Sequence, residues 1–151
     1  MCAEYTLIEE LHLKYVTISG ETSLSELRDL ARQYIDDPGF SLGQRQFIDL
    51  SSLVNAKARF LDVMTLRNFY LREYGTPARP IPVSIFAPTD LGYGISKMFT
   101  SLMVGQKLMK IKIFEHKTDA LAWLDIDSGS QSWTEAKASV QKSLSSSTIH
   151  V

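Results

Sequence analysis

The chain has 151 residues, and 16 Lys and Arg against 17 Asp and Glu leave a net charge of -1 at pH 7. This balance provides no global field that would attract nucleic acid or an anionic membrane. The single cysteine, Cys2, cannot form an internal disulfide, which favours a cytoplasmic location. Met1–Glu10 lacks the features of a signal peptide, and no apolar run approaches the roughly 20 residues of a membrane-spanning helix.

The N-terminal part predicts a hairpin and a helix. Tyr5–Glu9 and Leu13–Ser19 are short apolar segments separated by two residues, which indicates two antiparallel strands. Ser23–Glu26 has the Ser-x-x-Glu pattern of a capping box, and apolar residues at helical spacing follow it. Asp36–Gly39 contains the proline and glycine that end this first helix.

The middle of the chain predicts a third strand at Gln46–Leu50 and then a loop over Ser51–Phe60. This loop is longer than usual connections in α/β proteins. Asp62 is placed to cap a second helix. The apolar side of that helix comprises Val63, Leu66, Phe69, Tyr70 and Tyr74.

Two more strands and two more helices follow. Pro82–Ala87 is almost wholly apolar, as in a central parallel strand buried on both faces. Thr89 or Asp90 caps a third helix with an apolar stripe. Lys110–Phe114 alternates polar with apolar residues and predicts an edge strand, and Asp119–Asp125 predicts a fourth helix.

This order of elements specifies an α/β fold. Successive strand–helix–strand units favour parallel strands with right-handed crossovers. The first strand pairs with the second in the antiparallel direction. We therefore predict a mixed five-stranded sheet with about four helices in residues 1–127. Residues 128–151 are predicted to be a Ser-rich tail, in which one short helix presents an apolar stripe of Trp133, Ala136, Val140 and Leu144.

From Tyr5 to Asp127 the sequence resembles the SpoIIAA-like family, whose fold is that of the anti-sigma-factor antagonist (STAS) domains. The resemblance rests on the strand end Phe47–Ser51, the strand Val83–Ala87, and a last strand that ends in phenylalanine ahead of Ala120–Leu124. The family is similar in structure to CRAL-TRIO lipid carriers, which implies binding of a small nonpolar molecule.

The resemblance also implies a second function, because STAS domains act by docking to other proteins. In that family a serine at the start of the helix after the third strand is often phosphorylated. The matching stretch here, Asn55–Arg59, contains no serine or threonine, and Ser51 and Ser52 come several residues too early. This departure argues against a phosphorylation switch and leaves an unswitched docking regulator as the alternative.

The residues indicate no catalytic or metal site. His12, His116 and His150 are far apart in sequence, and no pattern of a nucleophile with its base or of clustered metal ligands occurs. We therefore predict that the chain is not an enzyme and binds no cofactor or metal. Gly92-Tyr-Gly94 begins a helix after a strand, but a lone glycine pair more often serves packing than phosphate binding.

Two binding hypotheses remain, and the sequence leaves the oligomeric state open. The first places a nonpolar ligand between the second and third helices, near the carboxyl ends of the strands. Its predicted contacts are Ser51, Ser52, Thr89, Asp90, Tyr93, Met98, Phe99, Phe69 and Tyr70. The second is a protein-docking regulator that uses Arg59 and Arg67 around the second helix. Nucleic-acid binding would require a larger basic excess.

Overall fold

The computed structural model describes residues 3–57 and 59–149, with the exception of the side chains of Lys57 and of 142–149. Cys2 and His150 lie outside the described residues, as does the side chain of Leu144. The strands are β1 (Ala3–Ile8), β2 (Leu13–Ser23), β3 (Arg45–Lys57), β4 (Ile81–Phe86) and β5 (Met109–Phe114). The helices are α1 (Leu24–Ile35), α2 (Phe60–Glu73), α3 (Asp90–Met103), α4 (Lys117–Trp123) and α5 (Gln131–Ile149).

The five strands form one sheet in the order β1-β2-β3-β4-β5. β1 runs antiparallel to β2, and each later strand is parallel to its predecessor. The predicted mixed α/β fold is therefore confirmed. Between β1 and β2 the chain makes one 3-10 turn, which ends at His12 in the left-handed region with φ 47°.

The connections between the parallel strands place α1, α2 and α3 together on one face of the sheet, here called the inner face. Strands added in one direction by right-handed crossovers send every crossover helix to the same side. α1 packs beside α2, and α2 beside α3. α4 and α5 cover the opposite face, where Ser84 Oγ donates to the carbonyl oxygen of Ala120 at 2.8 Å.

Alternation along the strands divides the core between these two faces. On β2, Val16 and Ile18 point toward the inner face, whereas Leu13 and Tyr15 pack with α4 and α5. Trp133 of α5 stacks on Tyr15, with ring centroids 5.5 Å apart. Burial of one large apolar side chain contributes about 1.5 to 3 kcal/mol, so both helical layers stabilise the sheet.

The structure corrects the predicted loop at Ser51–Phe60. β3 is 13 residues long and continues to Lys57. Its residues Ser52–Lys57 pair with Ser19–Ser23 of β2, beyond the last β3–β4 pair at Asp49 and Phe86. We call this two-stranded part the β2–β3 extension. Backbone pairing along one edge is enough to keep these largely polar residues extended.

The helix termini differ from the prediction at α2 and agree at α1. Glu26 N donates to Ser23 Oγ at 3.3 Å, as expected for a capping serine. α2 begins at Phe60, two residues before the predicted cap. Asp62 lies within its first turn, where its carboxylate accepts from Arg59 N at 3.3 Å. An acid in this position stabilises the positive end of the helix dipole. α5 extends over 19 residues.

Candidate functional site

An apolar cavity of about 100 Å³ lies between the inner face of the sheet and helices α1, α2 and α3. Side chains from three strands and three helices line it. They are Lys14, Val16, Ile18, Thr22, Leu24, Leu27, Leu30, Ala31, Gln46, Ile48, Leu50, Leu53, Ala56, Val63, Leu66, Tyr70, Ile85, Ile95, Ser96 and Phe99.

The β2–β3 extension forms the wall at one end of this cavity. Thr22 of β2 and Leu53 and Ala56 of β3 belong to the lining there. At the opposite end, Lys14 and Gln46 lie one residue after the starts of β2 and β3. The cavity therefore runs along the strands, from the extension to the amino-terminal ends of β2 and β3.

Lys14 is the charged residue of the described lining, and only 3% of its surface is exposed. Its Nζ lies 4.0 Å from the centroid of the Tyr34 ring and 5.8 Å from that of Tyr5. Burial lowers the pKa of the Lys14 ammonium to about 7, because the charged form loses its hydration. Lys14 forms no ion pair with a carboxylate of the described residues.

Gln46 is the neighbour of Lys14 across the sheet, since the two residues are paired in the parallel register of β2 and β3. It is also 3% exposed, and its Nε2 has no hydrogen-bond partner within the described part of the chain. The Tyr74 hydroxyl is likewise buried without a partner. Burial raises the pKa of Tyr74 above its ordinary range, with a smaller opposing effect from the nearby Gln46 side chain.

Hydrogen bonds hold the aromatic rings that face Lys14. Tyr34 OH donates to Gln44 Oε1 at 2.6 Å, and burial raises the pKa of Tyr34 to about 12. Tyr5 OH donates to Asp37 Oδ2 at 2.6 Å. This bond lowers the pKa of Asp37, whereas burial and the same bond raise the pKa of Tyr5. The rings are thus fixed as neutral surfaces around the amine.

Of the apolar residues predicted to bind a ligand, Tyr70 and Phe99 line the cavity. Their ring centroids are 5.8 Å apart, which joins α2 to α3. Phe69 and Met98 lie outside the lining. Phe69 is buried and its ring is 6.1 Å from that of Tyr70, and Met98 packs beside the cluster that includes Val63.

The predicted polar rim lies outside the cavity. All five residues are exposed: Ser51 and Ser52 lie within β3, just beyond its last pair with β4, and Thr89, Asp90 and Tyr93 lie at the start of α3. Thr89 Oγ1 accepts from the amide of residue 92, which caps α3. Ser51 Oγ donates to the carboxylate of residue 49 at 2.6 Å. These hydrogen bonds have a local structural role, and ligand binding by the rim stays a prediction.

The predicted docking residues differ in their surroundings. The Arg59 side chain is 91% exposed and lies 3.6 Å from the Asp62 carboxylate. Arg67 is half-buried, and its Nε has no hydrogen-bond partner among the described residues. Beside Arg59, Phe60 and Leu61 expose 54% and 73% of their surfaces. The start of α2 therefore combines a cation with apolar side chains in solvent.

Sequence reasoning missed the polar end of the cavity. Lys14 alternates with Val16 and Ile18, so a half-buried strand already places its side chain on the apolar face. Gln46 has the same relation to the apolar residues that follow it on β3. This signal was available in the alternation, whereas their adjacency depends on the strand register.

The described residues include no group of three His, Cys, Asp or Glu side chains that could hold a metal ion. No helix in that part of the chain is both long and apolar enough to cross a lipid bilayer. The site that the fold defines is therefore a helix-covered cavity with an amine and an amide at one end.

The chain is an α/β module in which three helices enclose this cavity against a mixed sheet. It is similar to the crystal structure of an uncharacterized protein from the DUF3478 family with a SpoIIAA-like fold from Shewanella loihica PV-4. The two sequences are 18% identical, the alignment covers 74% of this chain and 83% of the other, and the TM-score is 0.47. This similarity concerns the fold and carries no information on ligands. No family model matches the chain, and no curated protein matches it.

Proposed function

We propose that the chain is a noncatalytic binding module that holds a small nonpolar molecule in the cavity beneath α1, α2 and α3, and that it acts in the cytoplasm. The apolar cavity of about 100 Å³ carries this proposal. An engineered apolar cavity of about 150 Å³ stays dry and binds benzene. A space of comparable size with few polar groups disfavours water and favours an apolar guest.

The cavity volume limits the ligand. A small ring or a short aliphatic chain fits without rearrangement, whereas a larger molecule requires α2 and α3 to separate. Tyr70 and Phe99 form the contact between these helices at the cavity, so a change in this contact would accompany entry of a larger guest.

The absence of catalysis is part of the proposal. Hydroxyl groups of Thr22, Ser96 and Tyr70 reach the described lining, but no histidine lies among those lining residues. A hydroxyl nucleophile ordinarily needs a base that a third group orients. The carboxylate beside Thr22 is that of Glu26, which accepts from Thr22 Oγ1 at 3.1 Å in the first turn of α1 and belongs to the start of that helix. The Ser96 hydroxyl proton is used in a hydrogen bond within α3, since Ser96 Oγ donates to the carbonyl oxygen of Gly92 at 2.7 Å.

Native mass spectrometry of freshly purified protein tests the proposal, followed by analysis of the organic extract. We expect a stoichiometric nonpolar adduct on the wild-type chain. Ala56→Leu should reduce the adduct, because Ala56 is half-buried and lines the cavity. Ala122→Leu is the matched control, since Ala122 is exposed on α4 on the other face of the sheet.

A second measurement addresses a ligand that is lost during purification. Added 1-octanol should raise the melting temperature of the wild type and of Ala122→Leu, and raise that of Ala56→Leu less, because a ligand that binds only the folded state stabilises it. If no adduct is found and neither 1-octanol nor the smaller benzene stabilises any of the three proteins, the cavity is not a binding site and the proposal fails.

A protein-docking regulator is the second candidate, and the exposed apolar residues Phe60 and Leu61 beside Arg59 favour it. Exposed apolar groups next to a cation are typical of a surface that an acidic and apolar partner covers. In a pull-down, Leu61→Ser should remove a partner that wild type retains. Val104→Ser is the control, because Val104 is 75% exposed at the far end of α3. Equal capture by both variants would contradict docking at α2.

A further inference from the structure

Lys14 and Gln46 form a pair of polar groups at one end of an otherwise apolar space. They are register partners on parallel strands, which lie about 4.8 Å apart. Both side chains contribute to the cavity lining. The side chains that follow on the same face, Val16 and Ile18 on β2 and Ile48 on β3, are apolar. The cavity therefore has a polar end and an apolar body.

Both polar groups at this end lack an acceptor. Gln46 Nε2 meets no acceptor at hydrogen-bond geometry among the described residues, and the Tyr74 hydroxyl beside it is likewise unpaired. The Lys14 ammonium contacts the aromatic faces of Tyr34 and Tyr5 and forms no ion pair with a described carboxylate. Buried donors almost always have partners in native proteins. Gln46 Nε2 is thus a buried donor without an acceptor, next to an amine that contacts aromatic rings, and an acceptor on a ligand at this end of the cavity would pair both groups.

We propose that the ligand of this cavity is an apolar carboxylic acid, whose carboxylate lies between Lys14 Nζ and Gln46 Nε2 and whose hydrocarbon part extends along Val16 and Ile48. This inference rests on the proposed function and names the chemical class of its ligand. One carboxylate oxygen can accept from the amine and the other from the amide, so the two donors match the two oxygens.

Other head groups fit this end less well. A phosphate has more oxygens than the two donors can satisfy, and it would leave charge unpaired in an apolar space. An ammonium would face the Lys14 cation. An alcohol can accept from one donor only and gains no charge-assisted hydrogen bond, which is roughly twice as strong as a neutral one. The carboxylate alone satisfies both donors and balances the charge.

The bound carboxylate should also change the protonation of Lys14. Burial lowers the pKa of this amine to about 7, and an adjacent anion raises a lysine pKa again. The titratable groups near it are the phenols of Tyr5 and Tyr34, with the Asp37 carboxylate behind Tyr5. The phenols of Tyr74 and Tyr70 continue the ring cluster from Tyr34. Burial raises the pKa of each phenol, and hydrogen bonding lowers that of the carboxyl group. At pH 8.5 they do not titrate, so proton uptake on binding comes from Lys14.

Calorimetric titration of delipidated, full-length protein at pH 8.5 tests this inference with octanoate and 1-octanol, which share a chain and differ in the head group. In wild type, octanoate should bind at least about tenfold more tightly than 1-octanol. Titrations in buffers of different ionisation enthalpy should show uptake of about one proton per octanoate.

Two matched variants complete the experiment. Lys14→Met should raise the dissociation constant of octanoate by about tenfold or more and leave that of 1-octanol within about twofold of wild type. It should also abolish the proton uptake. Lys112→Met, which removes the same charge from the exposed face of β5, should behave as wild type. The methionine side chain occupies nearly the same space as the lysine, so the first variant should fold.

The outcomes separate this inference from the function on which it rests. Binding of 1-octanol that Ala56→Leu reduces, without a preference for octanoate, would refute the carboxylate and leave the nonpolar cavity in place. A preference for octanoate that persists in Lys14→Met would refute it as well. Binding of neither probe would refute both the inference and the proposed function.

Discussion

The burial of Lys14 predicts an unusual dependence of stability on pH. Burial lowers the pKa of its ammonium from 10.5 to about 7 in the folded chain. Between these values the unfolded chain holds a proton that the folded chain has released. The free energy of unfolding therefore rises with pH from about pH 7 and levels off near the ordinary lysine pKa. Most folded proteins show no such gain above neutral pH.

The magnitude follows from the two pKa values. At pH 7 the folded amine is about half protonated, and each further pH unit adds up to about 1.4 kcal/mol of stability until the unfolded amine begins to titrate. Between pH 7 and pH 9 the gain attributable to Lys14 is about 2 kcal/mol. Lys14→Met removes the desolvated amine and should raise stability at pH 7 by about 2 to 4 kcal/mol.

Urea unfolding of wild type and Lys14→Met at several pH values between 6 and 9 measures this effect. The fluorescence of Trp123 and Trp133, which lie on the other face of the sheet, reports unfolding without direct interference from the substitution. Other titrating groups are common to both proteins and cancel in the difference. The stability gap should narrow by about 2 kcal/mol from pH 7 to pH 9. A constant gap would mean that the folded amine keeps its hydration and its usual pKa, and would refute the reasoning.

Three further substitutions test the fold around the site by urea unfolding. Trp133→Ala should cost about 3 to 5 kcal/mol, because the ring is 3% exposed and stacks on Tyr15; a cost below 1 kcal/mol would mean that α5 is not docked. Thr89→Ala should cost about 1 kcal/mol through loss of the cap on α3, whereas binding of 1-octanol should be unchanged; weaker binding would instead support the predicted rim. Gly105→Ala should cost about 1 kcal/mol, since its φ is 82° and no atom crowds the position; an unchanged stability would contradict the left-handed backbone.

The sequence predicted the sheet because each strand carries its own apolar run. Pro82–Ala87 was recognised as a buried central strand within one residue at each end. The β2–β3 extension was missed because Ser51, Ser52 and Asn55 are polar and poor strand formers. Their extended conformation depends on pairing with one neighbouring strand, which no local pattern reveals. Elements that carry their own apolar signal can thus be predicted, and elements held by a neighbour cannot.

The candidate site was predicted in part for a related reason. Tyr70 and Phe99 follow the helical periodicity that points α2 and α3 toward the sheet, and both line the cavity. The polar rim was inferred from the general position of ligands at the ends of parallel strands, and the cavity lies instead beneath the helices. The pairing of Lys14 with Gln46 requires the register of two strands 32 positions apart in sequence. Composition and periodicity do not contain that register.

The cost of burying Lys14 links stability to binding. An unpaired amine in an apolar space lowers the stability of the empty chain, and functional sites are where such costs are usually found. A bound carboxylate would remove this cost by pairing the charge. At pH 9 and equal ligand concentration, octanoate should therefore stabilise wild type more than 1-octanol does, because the ligand with the lower dissociation constant stabilises the folded state more. Lys14→Met should lose this difference between the two ligands. The wild type would then be the less stable protein when empty and the more strongly stabilised one when loaded, which is the relation expected if the amine is retained for binding.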